Sequence, residues 1–143
     1  MRTFSGALLG GSLWPDTVLE GIPLTVTKIY RAALGVAAAG QPEVWTIIEF
    51  DVPGQHAARL AETLSRLLRQ EGGWYCDFRS ADEVFVVFSE KIFRYSRGDR
   101  GDRAGRAAAE EYARSAGVPE AQIDWPDLPP VSSHRESVTF AGR

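Results

Sequence analysis

Three acidic residues, Glu49, Asp51 and Asp77, are the candidates for general acid–base chemistry. Glu49 and Asp51 stand two apart in a run that we predict to be a β-strand, so their side chains share one face. Asp77 belongs to another predicted strand that could be a neighbour. Two carboxyl groups act as acid and base when their surroundings separate their pKa values. Without a pocket around them, the same residues describe the wet face of a sheet, and we favour this simpler interpretation.

Arginines recur at every third position in the segment FRYSRGDRGDRAGR, residues 93–106. Arg97, Arg100 and Arg103 lie where a glycine-containing loop enters a predicted helix, and free amides at a helix N-terminus attract anions. Asp99 and Asp102 would repel an anion and suit helix capping and ion pairing instead. The sequence leaves an anion-binding loop open but favours a cap that neutralises itself. The spacing matches neither a phosphate loop nor a dinucleotide fingerprint.

Cysteine and histidine chemistry finds little support. Cys76 is the single cysteine and alternates with Trp74 and Phe78, which predicts a buried thiol and excludes an internal disulfide. The two histidines, His56 and His134, are far apart and lack the spacing of metal ligands. We therefore expect no metal site, no cofactor and no Cys–His catalytic pair.

Hydrophobic periodicity predicts an α+β fold with one mostly antiparallel sheet of about six strands and two helices packed on it. One helix is long (about 56–70), and the other is alanine-rich (about 102–116), with a buried stripe that we assign to Ala104, Ala107, Ala108 and Ala113. Residues 1–16 are glycine-rich and are predicted to be irregular. The predicted strands are Thr17–Glu20, Leu24–Arg31, Val44–Val52, Trp74–Arg79, Val84–Phe88 and Ile92–Tyr95.

Strand order is the weaker part of this prediction. If Val44–Val52 and Trp74–Arg79 are parallel neighbours, the helix between them crosses one sheet face in a right-handed connection. Val84–Phe88 is apolar on both faces, which predicts a central strand with cover on each side. The second cover would be the alanine-rich helix, an N-terminal hairpin or a partner chain. We predict one globular domain over residues 1–125 and a proline-containing tail over residues 126–143.

Composition narrows the class of protein. The chain has 143 residues, 44% of them hydrophobic, and a formal net charge of −3. This balance gives no long-range attraction for nucleic acids or anionic lipids. No stretch approaches the length of a membrane span, and the lone cysteine suits a reducing compartment. We expect a cytoplasmic protein that binds neither nucleic acid nor membrane.

Two motifs carry a resemblance. Trp74 to Phe78 has the pattern Trp-Tyr-x-Asp-Phe, and Gln122 to Trp125 has the pattern Gln-x-Asp-Trp. With the apolar strand, the Phe-Arg-Tyr strand and the alanine-rich helix between them, the chain resembles a group of small uncharacterised bacterial α+β proteins. The resemblance covers Glu49 to Trp125. It implies a compact α+β domain and carries over no activity and no functional residues.

These observations favour a binding protein over an enzyme. The leading hypothesis is a small cytoplasmic binding or accessory protein, for example regulatory or immunity-like, that recognises another protein through an exposed polar sheet face containing Tyr75, Asp77 and Arg79. The alternative is a small-ligand-binding protein or enzyme that uses the Arg97–Arg106 loop as an anion subsite, with Glu49, Asp51 or Asp77 as acid or base. A third hypothesis is self-association through a sheet edge or the tail.

Overall fold

Six strands and two α-helices make up the part of the chain that a computed structural model describes, residues 2–33, 44–98, 103–123 and 125. The α+β class and the six-stranded antiparallel sheet are confirmed. The two helices span 54–67 and 103–115, where 56–70 and 102–116 were predicted. The elements in chain order are β1 Thr3–Leu9, β2 Thr25–Ala33, β3 Val44–Pro53, α1 Gly54–Leu67, β4 Cys76–Arg79, β5 Glu83–Phe88, β6 Lys91–Ser96 and α2 Arg103–Ser115.

The strand order is β2-β3-β1-β4-β5-β6, and each neighbouring pair is antiparallel. The arrangement in which β3 and β4 are parallel neighbours does not occur, because β1 lies between them and pairs antiparallel with both. Sequence analysis missed β1 because Gly6 interrupts its apolar alternation and Gly10 and Gly11 follow it directly. Thr17–Glu20 was also wrongly predicted, since the structure shows no strand there.

One sheet face, which we call the α1 face, is covered by α1. Phe4, Phe50, Phe78 and Phe85 pack here against the apolar stripe of the helix, in which Leu60 and Leu64 are fully buried. The helix ends at Leu67 because Leu68 turns to an extended conformation and forms a bridge with Leu13. The segment before β2 also contributes apolar side chains to this core, namely Leu13, Leu19, Ile22 and Leu24.

The opposite face, which we call the α2 face, has two separate apolar clusters. Ala109 and Ala113 of α2 pack on Val84, Val86 and neighbouring aromatic residues. The predicted alanine stripe is wrong in detail, because Ala104, Ala107 and Ala108 are exposed. The second cluster, built on Trp45, Ile47 and Trp74, contains no helical residue among those that the structure describes.

The prediction for β5 is confirmed. Phe85 and Val87 belong to the core under α1, whereas Val84, Val86 and Phe88 belong to the cluster under α2. Helix α2 is therefore the second cover that the doubly apolar strand required. The predicted tail, residues 126–143, lies outside the described residues.

Candidate functional site

Polar residues of three adjacent strands meet on the α2 face. Ser5 of β1 lies opposite Asp51 of β3 on one side and opposite Arg79 of β4 on the other. Ala7, two residues further along β1, lies between Glu49 and Asp77 in the same way. The register thus places all four predicted charged residues on one face, as the alternation indicated, with β1 between the two pairs. We call Ser5, Glu49, Asp51, Asp77 and Arg79 the polar row.

The polar row is more buried than sequence analysis predicted. Asp77 retains 4% of its accessible surface and Glu49 retains 8%, so this part of the face is not the open polar surface that we expected. Charged groups removed from water need partners. Arg79 donates from Nη2 to Asp77 Oδ2 at 3.1 Å, and the Ser5 hydroxyl donates to Asp51 Oδ1 at 2.7 Å. These contacts use the carboxylates to stabilise the sheet.

Tyr75 lies on the same face as Asp77, as predicted, but the expectation that it is exposed is wrong. The side chain is 5% exposed, and its ring packs against Phe88 and Trp125. Its hydroxyl donates a 2.7 Å hydrogen bond to the carbonyl oxygen of Gln122. Tyr75 therefore anchors the segment that follows α2, a role that the Trp-Tyr-x-Asp-Phe pattern gave no means of foreseeing.

Tyr95 joins the polar row to helix α2. Burial is the main cause that raises the pKa of the Tyr95 hydroxyl, and the negative charge of Asp77 adds to it, whereas Arg106 and Arg79 act in the opposite direction. Arg106 pairs with Glu110 at 2.6 Å and donates from Nε and Nη2 to the carbonyl oxygen of Trp125. The Tyr95 hydroxyl stays neutral, and the Arg106 guanidinium already contacts Glu110 and Trp125. We therefore interpret these contacts as holding α2 on the sheet.

The arginine-rich segment is only partly described. Arg97 is buried and donates from Nη1 to the carbonyl oxygen of Ser80 at 2.6 Å, while its backbone amide donates to the carbonyl oxygen of Asp82 at 2.8 Å. These two bonds fix the turn between β4 and β5. Arg103 is exposed at the first residue of α2, and Arg100 lies outside the described residues.

The remaining sequence candidates stay apart from this face. The Cys76 side chain belongs to the core under α1, where its Sγ donates to the carbonyl oxygen of Ala7 at 3.3 Å. Burial, and secondarily the charge of Asp77, raises the pKa of this thiol, which opposes a nucleophilic role. Within the described ranges, no three acidic, histidine or cysteine side chains are grouped as metal ligands would be.

Among the strands that the structure describes, β2 lies at one edge of the sheet and is the most exposed. Ile29 and Val26 keep 63% and 52% of their accessible surface. Both point to the α1 face, where Val26 lies opposite Phe50 and Ile29 opposite Ile48 of β3; Val44, 44% exposed, is on the same face at the start of β3. Lys28 points to the other face and lies 4.6 Å above the ring of Tyr30. Sequence analysis predicted the strand but not that it is an edge. The available signal was the run TVTKIYRAA, which has apolar and polar residues on both faces.

The β2–β3 ladder is interrupted once. The register shifts between Val26 and Lys28, which marks a bulge at Thr27. From Lys28 to Ala33 the pairing with β3 is regular. Bulges and edge lysines both discourage unwanted strand addition. The half of β2 that follows the bulge therefore has the regular backbone that pairing with a further strand needs.

The chain matches no protein-family model, no curated protein and no solved structure at a significant level. No helix in the described part of the chain combines the length and the apolar character needed to cross a membrane.

Proposed function

We propose that this chain is a small cytoplasmic binding or accessory protein that recognises another protein by adding a strand of that partner to β2. The observation that carries the proposal is the nine-residue edge strand, with Ile29 63% exposed and Val26 52% exposed. The bulge and Lys28 limit indiscriminate pairing, but the nine residues of β2 still form an edge of the described sheet, and the amides and carbonyls of an edge strand are a template for another strand. Backbone hydrogen bonds then give affinity, and alternate side chains give specificity.

The interior of the protein supports a binding role over a catalytic one. In the polar row, Asp77 is paired with Arg79, and Asp51 accepts from Ser5. The anion-subsite alternative draws less support, because Arg97 is buried in the β4–β5 turn. Strand β2, in contrast, has exposed residues on both faces, so a partner strand can reach it without any change in the buried polar contacts.

The proposal is tested with one edge variant and one matched surface variant. Ile29→Asp places a charge on the edge, while Val18→Asp makes the same kind of change at a residue that is 65% exposed and lies outside β2. Proteins retained from the native host are compared by native mass spectrometry for wild type and both variants, after circular dichroism has shown that each variant is folded.

We expect one partner at fixed stoichiometry on wild type and on Val18→Asp, and its loss on Ile29→Asp. Retention of the same partner by Ile29→Asp would place recognition elsewhere on the surface. A retained small molecule with no protein partner would favour the ligand-binding alternative.

A further inference from the structure

We propose that the segment recognised by β2 is an acidic strand that pairs antiparallel to Lys28–Arg31 and has the pattern acidic, any residue, apolar, acidic. The inference rests on the proposed function and specifies the chemistry of its partner. It follows from the charges, the exposure and the face assignment of four consecutive residues in the regular half of β2.

The half of β2 that follows the bulge is basic. Lys28 and Arg31 are both exposed, and the strand contains no acidic residue between Thr25 and Ala33. Among the described residues, neither cation lies within ion-pair distance of a carboxylate, although Glu49 is the cross-strand neighbour of Lys28. A facing strand with acidic side chains would supply the missing counter-charges. Opposite charges across a strand pair are stabilising, and like charges are destabilising.

The order of the pattern comes from the faces of the strand. Ile29 and Arg31 point to the α1 face, opposite Ile48 and Thr46 of β3. Lys28 and Tyr30 point to the other face. A strand running antiparallel to β2 meets Arg31 first, then Tyr30, then Ile29, and finally Lys28. It therefore presents an acid, an unrestricted residue, an apolar residue and a second acid, in that order.

The antiparallel direction continues the arrangement of the sheet. All five strand pairs are antiparallel. Antiparallel pairs also place side chains directly opposite one another, which suits matching of charge.

A second copy of this chain is a poorer occupant. Pairing β2 with itself would add two cations, Lys28 and Arg31 of the second copy, and no acid. The opposite edge strand, β6, carries Lys91 and Arg94 and no acid. Neither described edge of the sheet thus offers the charges that β2 lacks.

The test begins with a phage-displayed library of random peptides of about ten residues, a length sufficient to span an edge strand. Selection uses the full-length protein, with removal of peptides that also bind Ile29→Asp. We expect enrichment of the acidic, any residue, apolar, acidic spacing. A selected peptide is then synthesised with its two acids, and again with lysine at both positions.

Charge-swap variants decide between pairing and general attraction. We expect the acidic peptide to lose about tenfold or more in affinity for Lys28→Glu/Arg31→Glu, and the lysine peptide to bind this variant better than wild type. The matched control, Arg59→Glu/Arg66→Glu, makes the same change in net charge on exposed positions of α1 and should bind the acidic peptide nearly as wild type does.

Each other outcome overturns a defined part of the argument. Neutral or basic peptides that depend on Ile29 but not on Lys28 and Arg31 would overturn the acidic partner and leave recognition by β2 intact. Failure to enrich any peptide over the Ile29→Asp background would overturn both. A concentration-dependent dimer in sedimentation, abolished by Ile29→Asp, would make a second copy the occupant.

Discussion

The rings of Phe50 and Phe78 lie 6.1 Å apart, centroid to centroid, although their strands are not neighbours. They meet above Gly6, which lies opposite both residues on the intervening strand β1. A Cβ atom at Gly6 would lie 2.6 Å from the Phe78 Cβ and 2.5 Å from the carbonyl oxygen of Asp77. The missing side chain at Gly6 allows the two phenylalanines to form one core across three strands.

Gly6→Ala is therefore expected to lower the free energy of unfolding by about 3 kcal/mol, because the methyl group would displace both Phe78 and the β4 backbone. Denaturant unfolding followed by tryptophan fluorescence measures the change. Gly11→Ala is the matched control, since its added methyl group would meet nothing closer than 3.9 Å. Equal effects of the two substitutions would contradict the close approach of β1 and β4.

The buried pair Asp77–Arg79 gives a second prediction. Asp77→Ala should lower the free energy of unfolding by about 3–5 kcal/mol, because it removes the carboxylate that lies 3.1 Å from the Arg79 guanidinium, a group that is only 11% exposed. Arg114→Ala breaks the solvent-exposed pair with Glu120 and should have no resolvable effect. Chemical denaturation of both variants provides the comparison, and a small loss for Asp77→Ala would mean that solvent reaches this pair.

Glu83 gives a prediction of pH dependence. The hydrogen bond from Arg94, with a further contribution from Arg2, holds the pKa of the Glu83 carboxyl below its ordinary value. A lowered native pKa stabilises the fold at pH values above the unfolded pKa of about 4.3, and this stabilisation is lost as the pH falls. Glu83→Gln should cost about 1 kcal/mol near pH 7, because the pair is partly exposed.

That difference between wild type and Glu83→Gln should shrink as the pH falls below the unfolded pKa of about 4.3 and disappear once the native carboxyl is protonated as well. Urea unfolding curves across the range measure it. A difference that stays constant with pH would assign the effect to packing rather than to charge.

Cys76 gives a prediction of the opposite sign. Burial raises the pKa of its thiol, so the native state holds the proton at pH values where the unfolded chain, with a thiol pKa of about 8.5, releases it. The resulting stabilisation is complete below about pH 8 and declines above it, by about 1 kcal/mol at pH 9.5. The decline should be smaller in Cys76→Ala, when the two proteins are compared by urea unfolding.

The same burial predicts slow alkylation. Labelling of native Cys76 by iodoacetamide should be at least about a thousandfold slower than that of the unfolded chain, since the thiol must first be exposed by opening of the sheet. Rapid labelling of the folded protein would show that the core beneath α1 opens locally.

The sequence was sufficient to predict the elements with a strong period. The apolar residues of α1 recur with the spacing of a helix, and Val84–Phe88 has no polar side to expose. The shared face of Glu49 and Asp51 also followed from strand alternation alone. These features depend on local spacing, which a single sequence displays directly.

Features that depend on distant contacts were not predictable. Gly6 weakens the local signal for β1 because it has no side chain to continue the apolar alternation. The absence of that side chain allows Phe50 and Phe78 to meet, which is a contact between distant residues. The burial of Asp77 was missed because its partner Arg79 neutralises it within the fold. The exposure of β2 depends on strand order, which could not be worked out while β1 was unrecognised.

The central position of β1 has a consequence for how the chain acquires its structure. Contacts across its two sides join residues 46 and 69 positions apart, as in Ser5 with Asp51 and Ala7 with Cys76. During synthesis, β1 emerges before β3 and β4 and must wait for Cys76–Arg79 before both of its edges are paired. Such non-local closure makes folding slow and exposes β1 meanwhile to other chains. Until residue 79 has emerged from the ribosome, the growing polypeptide thus carries an unpaired edge that needs protection.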